Sequence, residues 1–217
     1  MTLFDNTLLK KWIVMGAICG LGATIIYPLL LLVGFPLIIT VILAAAMGIL
    51  LSLGSIGLFF FLGVFRKTVS IYLAVLFNII GGTIFNLMII VQMTVRNYMS
   101  AYLEESTNEY SREMISQIFQ GVDKVQLGLD VAWDVYICLG TFLFALNMFK
   151  HPRFGKVFAI SGLLIATALL GLNIYSFPVP PGDAGLVDLG PLMGLWYTAV
   201  AIRTLLSLDW LDEQLKN

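Results

Sequence analysis

Residues 123–149 read DKVQLGLDVAWDVYICLGTFLFALNMF, an apolar run with two carboxylates in its first half. A helix needs about 20 mainly apolar residues to cross the hydrocarbon core of a bilayer, so this run is long enough to do so. Asp130 and Asp134 lie one helical turn apart on the same face. Ionisable side chains inside a membrane span are costly and are commonly functional. The run therefore predicts a membrane-spanning helix with a candidate site in its outer half.

The composition of the whole chain also indicates a membrane protein. Of its 217 residues, 59% are hydrophobic and 12% are charged, and the mean hydropathy is +0.96. Soluble domains carry about 25% charged residues. The net charge of −1 excludes the basic surface that nucleic-acid-binding proteins use. One histidine and two cysteines supply too few ligands for a zinc, haem or iron–sulfur site, so we expect no cofactor.

Six apolar segments predict six transmembrane helices in a single membrane domain, residues 1–217. The predicted spans cover about residues 12–35, 37–64, 69–95, 124–149, 157–175 and 189–206. In the first span, Gly16 and Gly20 form a GxxxG pair, which is typical of close helix packing. We therefore expect an all-α integral membrane protein whose six helices form a compact bundle.

Residues 97–122 interrupt this apolar pattern. The segment is acidic but keeps apolar residues at helical spacing, which predicts a short amphipathic extracytoplasmic helix between the third and fourth spans. Ser106 with Glu109 matches a capping box, and Asp123 with Gln126 matches another at the start of the fourth span. A solvated connector is the alternative interpretation of this segment.

The distribution of basic residues predicts the orientation in the membrane. If the six spans alternate in direction, nine of the twelve basic residues face one side: Lys10, Lys11, Arg66, Lys67, Lys150, Arg153, Lys156, Arg203 and Lys216. The other side holds Arg96, Arg112 and Lys124. Short cytoplasmic loops carry an excess of Lys and Arg. We therefore expect both termini to be cytoplasmic.

Polar residues at the outer ends of three spans predict an outward-facing vestibule. Its expected lining comprises Gln92, Arg96, Asp130, Trp133, Asp134, Asn173 and Tyr175. Arg96 ends the third span and is the expected cationic neighbour of the aspartates. Asn78 and Asn86 share a helix face with Gln92 and Arg96, but for these two amides we favour helix locking. For Trp133 and Tyr175, as for Trp196, we favour anchoring at the membrane interface over a part in the lining.

Several short motifs in the second half of the chain carry a family resemblance. They are LDVAWD at 129–134, KHPRFG at 150–155, SGLL at 161–164, DLGP at 188–191, GLWY at 194–197 and IR at 202–203. With these motifs, residues 126–206 resemble the DUF4386-like family of bacterial six-span membrane proteins. The resemblance implies a compact six-helix bundle in a bacterial inner membrane, and it transfers no activity and no catalytic residue.

These features favour binding over catalysis. The leading hypothesis is that the outer vestibule binds a small amphiphile, a lipid or a cation, with membrane lipids as the surroundings. A small proton- or cation-coupled transporter and a non-enzymatic accessory subunit of a membrane complex are alternatives, and a homo-oligomer or a membrane partner protein stays open. An enzyme is disfavoured because His151 falls in a predicted cytoplasmic loop, away from any nucleophile.

Overall fold

The computed structural model describes residues 5–106 and 108–216, and these residues fold into seven α-helices. Their bounds are α1 Asn6–Leu32, α2 Leu37–Phe65, α3 Val69–Glu105, α4 Glu109–Met148, α5 Gly155–Ser176, α6 Gly190–Leu205 and α7 Leu208–Lys216. No strand occurs in these two ranges. The predicted all-α class is confirmed.

Five of the helices, α1 to α5, are long and apolar enough to cross a membrane. Helix α6 has 16 residues, which make about 24 Å of helix and fall short of a hydrocarbon core of roughly 30 Å. Together, α6 and α7 are long enough to span. The chain bends by 53° between them. The described residues thus contain five candidate spans, or six if α6 and α7 form one bent span. The apolar helices indicate a multi-pass membrane protein.

The predicted amphipathic helix, residues 97–122, is not a separate element. Helix α3 continues to Glu105 and α4 begins at Glu109, so the segment forms the adjoining ends of two long helices. Thr107 lies outside the described residues. With 37 and 40 residues, α3 and α4 are about 55 and 60 Å long. They form a helical hairpin roughly twice as long as the hydrocarbon core is thick.

Both predicted capping boxes are wrong, because Ser106 ends α3 instead of starting α4 and Asp123 lies inside α4. Ser106 follows the last residue of α3, and the side chain of Asn108 caps α4 by accepting a 2.7 Å hydrogen bond from the backbone N–H of Ser111. Asp123 is exposed in the interior of α4. An Asp-x-x-Gln pattern caps a helix only where the backbone leaves helical geometry, and here the helix continues through it.

Neighbouring helices pack side by side and close into a ring. Helix α1 packs against α2, α2 against α3, α3 against α4 and α4 against α5, while α6 contacts both α5 and α1. The main apolar core receives buried side chains from all seven helices, with Phe61, Phe144 and Met148 fully enclosed. The predicted bundle is confirmed within the described residues.

Glycines bring α1 and α2 into backbone contact, as the GxxxG pair predicts. A methyl group added to Gly57 of α2 would lie 2.7 Å from Cα of Gly16, and one added to Gly54 would lie 2.9 Å from Cα of Gly20. Carbon atoms pack best at about 3.5–4.0 Å. A larger residue at this crossing would therefore push the two helices apart.

Buried amides join the helices halfway along the bundle. Asn86 of α3 accepts a 2.8 Å hydrogen bond from the N–H of Gly48 and donates one of 2.9 Å to the carbonyl of Ala45, both on α2. Asn78 of α3 is fully buried and accepts a hydrogen bond from the Tyr197 hydroxyl of α6. These bonds support the interpretation that the two amides lock helices together.

An aromatic cluster surrounds His151 at the end of the bundle where α1 begins. The ring centroids of Phe61, Phe65, Phe154 and Trp210 lie 5.1–5.3 Å from that of His151. His151 is 1% exposed, and this burial lowers its pKa to about 4. The cluster packs α7 against the end of α2 and the loop between α4 and α5, so His151 is a core residue.

Candidate functional site

Helix α4 sets the positions of the two aspartates. Its buried face carries Gln126, Asp134 and Thr141 among apolar residues, and Asp134 is only 3% exposed. Asp130 lies one turn earlier and is half-buried. Counting about 20 residues back from Met148 reaches residue 128, which would place Asp130 near the boundary of the hydrocarbon core and Asp134 one turn further inside. Both side chains therefore turn into the bundle at the end opposite to His151.

One oxygen of Asp134 has no partner. Its Oδ1 atom is buried and accepts no hydrogen bond from any residue that the structure describes. The expected pairing with Arg96 is not formed. In the described ranges, no salt bridge joins Arg96 to Asp130 or Asp134. The Arg96 side chain is exposed. It belongs to the C-terminal part of α3 and points away from the bundle interior.

Asp188, in the loop before α6, brings a third carboxylate to this end of the bundle. It lies close enough to Asp130 and Asp134 for their charges to interact, and Tyr27 of α1 is within the same range of Asp130 and Asp188. Oδ1 of Asp188 accepts a 2.8 Å hydrogen bond from the N–H of Gly190, which fixes the residue at the start of α6. We call Asp130, Asp134 and Asp188 the acidic vestibule.

Two further polar atoms at this end of the bundle are unpartnered. Nε1 of Trp133 and Oγ of Ser176 are buried, and neither bonds to a described residue. The Trp133 ring lies 5.1 Å from that of Phe85, measured between centroids, and this contact holds the indole against α3. Ser176 is the last residue of α5. The Trp133 N–H and the Ser176 hydroxyl therefore lack partners at the same end of the fold as the Oδ1 atom of Asp134.

The other predicted lining residues differ in how far they are buried. Asn173 is 5% exposed, and its amide donates a 3.0 Å hydrogen bond to the carbonyl of Leu169. Gln92 is half-buried on α3. Tyr175 is 81% exposed, so its side chain faces outward, like that of Arg96. The structure therefore turns Asp130, Trp133, Asp134 and Asn173 inward and leaves Arg96 and Tyr175 on the outside.

The acidic vestibule does not have the arrangement of a metal site. Within residues 5–106 and 108–216, no group of three or more His, Cys, Asp or Glu side chains is placed to hold a metal ion. Hard cations require several oxygen ligands in direct contact at about 2.0–2.6 Å. The three carboxylates instead influence one another through their charges over longer distances.

An apolar layer closes the vestibule towards the centre of the bundle. It is formed by side chains of α4, α5 and α6 that are at most 2% exposed: Ile137, Cys138, Ala166, Leu169 and Met193. The next polar side chain on the buried face of α4 is Thr141, about 10 Å along the helix from Asp134. Polar groups of the vestibule are thus separated from those of the bundle centre.

The fold and this site define a multi-pass helical membrane protein with three carboxylates at one end of its bundle, of which Asp134 is buried. No protein-family model, no curated protein and no solved structure matches the chain. The resemblance to the DUF4386-like family therefore stays a prediction, and the function has to be argued from the site itself.

Proposed function

We propose that the protein binds a small organic cation, or an amphiphile with a cationic head group, at the acidic vestibule on the outer side of a bacterial inner membrane. The observation that carries the proposal is the buried, unpartnered Oδ1 atom of Asp134 beside two other carboxylates. An ionised carboxylate that loses its hydration without gaining a partner is strongly disfavoured. A bound cation would supply that partner.

The surroundings of the aspartates favour an organic cation over a metal ion. Trp133 lies between two apolar clusters that include Phe85, Leu129 and Ile137. Aromatic faces attract ammonium-type cations by about 0.5–2 kcal/mol, and apolar side chains suit the hydrocarbon part of such a ligand. Because all three charged groups of the vestibule are carboxylates, an anionic lipid or fatty acid would be repelled.

The proposal is for binding rather than passage. A transport pathway needs polar groups or water on both sides of the membrane midplane, whereas the apolar layer around Ile137 and Cys138 lies directly below Asp134. A proton- or cation-coupled transporter and an accessory subunit of a membrane complex are the alternatives.

Equilibrium binding of tetraphenylphosphonium, a lipophilic cation, to the protein in nanodiscs tests the proposal. We expect saturable binding by the wild type and at least about tenfold weaker binding by Asp134→Asn, because the amide keeps the shape but removes a charge that interacts by several kcal/mol in a partly buried site. Asp123→Asn is the matched control. It removes the same charge from the same helix at an exposed position and should bind like the wild type.

Binding that does not saturate, or that is equal in the wild type and in Asp134→Asn, would contradict the proposal. Uptake of the cation into sealed proteoliposomes would favour the transport alternative. A second protein that co-purifies in stoichiometric amount, together with no cation binding, would favour the accessory role.

A further inference from the structure

A cavity lies at the opposite end of the bundle, where α2 and α4 end. It encloses about 150 Å³, a volume that accommodates a group the size of benzene. Two basic residues line it, Arg66 directly after α2 and Lys150 two residues after the end of α4. Most of the remaining lining is apolar: Leu62, Phe65, Leu146 and Phe149. We call this cavity the basic pocket.

Both cations of the basic pocket are free of protein partners. In the described part of the chain, the side chains of Arg66 and Lys150 form no salt bridge and no hydrogen bond, and no carboxylate lines the cavity. The ends of α2 and α4 contribute a partial negative charge of roughly half a unit each. Two full positive charges exceed these, so the pocket is positive overall.

The side chain of Asn147 joins the two segments of the chain that carry these cations. Its Oδ1 atom accepts a 2.7 Å hydrogen bond from the Thr68 hydroxyl, and its Nδ2 atom donates one of 2.9 Å to the Ser70 hydroxyl. These bonds join the segment that follows Arg66 to the last turn of α4, next to Lys150. Because they occupy the amide, the two cations are the free polar groups of the pocket.

We propose that the basic pocket binds the phosphate group of an anionic ligand. Arginine and lysine are the side chains that recognise phosphate, and basic pockets between helices at the cytoplasmic side of membrane proteins bind lipid head groups. Phe65 and Leu146 at the pocket are each 42% exposed and offer an apolar surface beside it. An acyl chain would lie there if the phosphate belongs to a phospholipid, whereas free phosphate would use the cations alone.

Native mass spectrometry of protein released from nanodiscs tests whether the basic pocket binds the phosphate group of a lipid. With equal amounts of phosphatidylglycerol and phosphatidylcholine, we expect retained phosphatidylglycerol on the wild type and about tenfold less on Arg66→Gln/Lys150→Gln. The matched control, Lys67→Gln/Lys156→Gln, removes two exposed charges from the same end of the protein but outside the pocket. It should retain the lipid, as should the charge-preserving Arg66→Lys/Lys150→Arg.

In a second experiment, delipidated protein is titrated with inorganic phosphate, and calorimetry measures the binding of the free anion. Saturable binding that the Arg66→Gln/Lys150→Gln variant loses, without selective lipid retention, would support a phosphate site that takes the free anion. Three results would overturn the inference: a wild type that neither retains phosphatidylglycerol selectively nor binds phosphate saturably, undiminished binding by the Arg66→Gln/Lys150→Gln variant, or an equal loss in the control. Unchanged thermal unfolding of each variant checks that the fold is intact.

Discussion

The hydroxyl groups of Thr141 on α4 and Tyr197 on α6 lie 2.7 Å apart in a hydrogen bond inside the bundle. Tyr197 also donates a 2.6 Å hydrogen bond to Oδ1 of Asn78 on α3. One phenol thus joins three helices, and its polar partners are satisfied. This distinguishes the centre of the bundle from the acidic vestibule, where Asp134 retains an unpartnered oxygen.

Removal of the Tyr197 hydroxyl should destabilise the bundle. Tyr197→Phe leaves Thr141 and Asn78 each short of a buried hydrogen bond, and we expect a loss of about 1 kcal/mol in the free energy of unfolding. Unfolding in mixed detergent–SDS micelles measures it. Tyr175→Phe is the control, because Tyr175 is 81% exposed. Equal stability of the two variants would show that the buried bonds contribute nothing.

A methyl group at the crossing of α1 and α2 should be poorly tolerated. In Gly57→Ala the new carbon would lie 2.7 Å from Cα of Gly16, and overpacking of this kind costs about 1–3 kcal/mol. Gly63→Ala, in the same helix, meets no atom within 4 Å and should be neutral or slightly stabilising, because Ala favours helix. Thermal unfolding of both variants compares them. A Gly57→Ala protein as stable as Gly63→Ala would show that the helices are not in close contact.

Stability should fall at acidic pH because of His151. Its pKa is lowered to about 4 by burial among aromatic rings, with a smaller contribution from Arg153, whereas a histidine in the unfolded chain has a pKa of about 6.5. The unfolded state therefore binds the proton more readily, and stability is lost as the pH falls from about 6.5 towards 4. The loss amounts to about 3 kcal/mol at pH 4.

The His151 contribution is measured as a difference in pH dependence. His151→Phe keeps an aromatic ring in the cluster but removes the titrating group, so its stability should vary less than that of the wild type between pH 7 and pH 4. Parallel pH profiles for the two proteins would mean that other groups cause the dependence.

The two aspartates of α4 should contribute unequally to cation binding. Asp134 is 3% exposed, while Asp130 is half-buried and keeps part of its hydration. We therefore expect Asp134→Asn to reduce tetraphenylphosphonium binding by about tenfold and Asp130→Asn by about threefold, because screening by solvent weakens the charge of the more exposed group. The ratio of the two dissociation constants is the measurement, and a ratio near one would refute this order.

The elements of the fold that depend on local sequence were predictable. Long apolar runs determine the candidate spans, and the Gly16 and Gly20 spacing indicates the contact with α2. The break between α3 and α4 was harder to place, because the cap patterns at Ser106 and Asp123 also fit the end or the interior of a helix. Only backbone geometry distinguishes these cases.

For the candidate site, only residues that lie on the same helix could be predicted to lie together. Asp130 and Asp134 share a face of α4, so their common position follows from helical periodicity. Asp188 and Tyr27 reach the same region from elements distant in sequence, and no spacing rule relates them. Arg96 was misplaced because depth along α3 does not reveal which way a side chain points. His151 does lie in the loop between α4 and α5, but its burial could not be predicted because the aromatic rings around it come from three separate parts of the chain.

The length of the hairpin formed by α3 and α4 has a practical use. If the last 20 or so residues of α4 fill the hydrocarbon core, the roughly 20 residues before them would carry Asn108 about 30 Å beyond it. A peptide tag inserted beside Asn108 would therefore be clear of the lipid head groups and open to an antibody from one side only. Labelling of intact cells against permeabilised cells would then report which way the protein faces, independently of its pattern of basic residues.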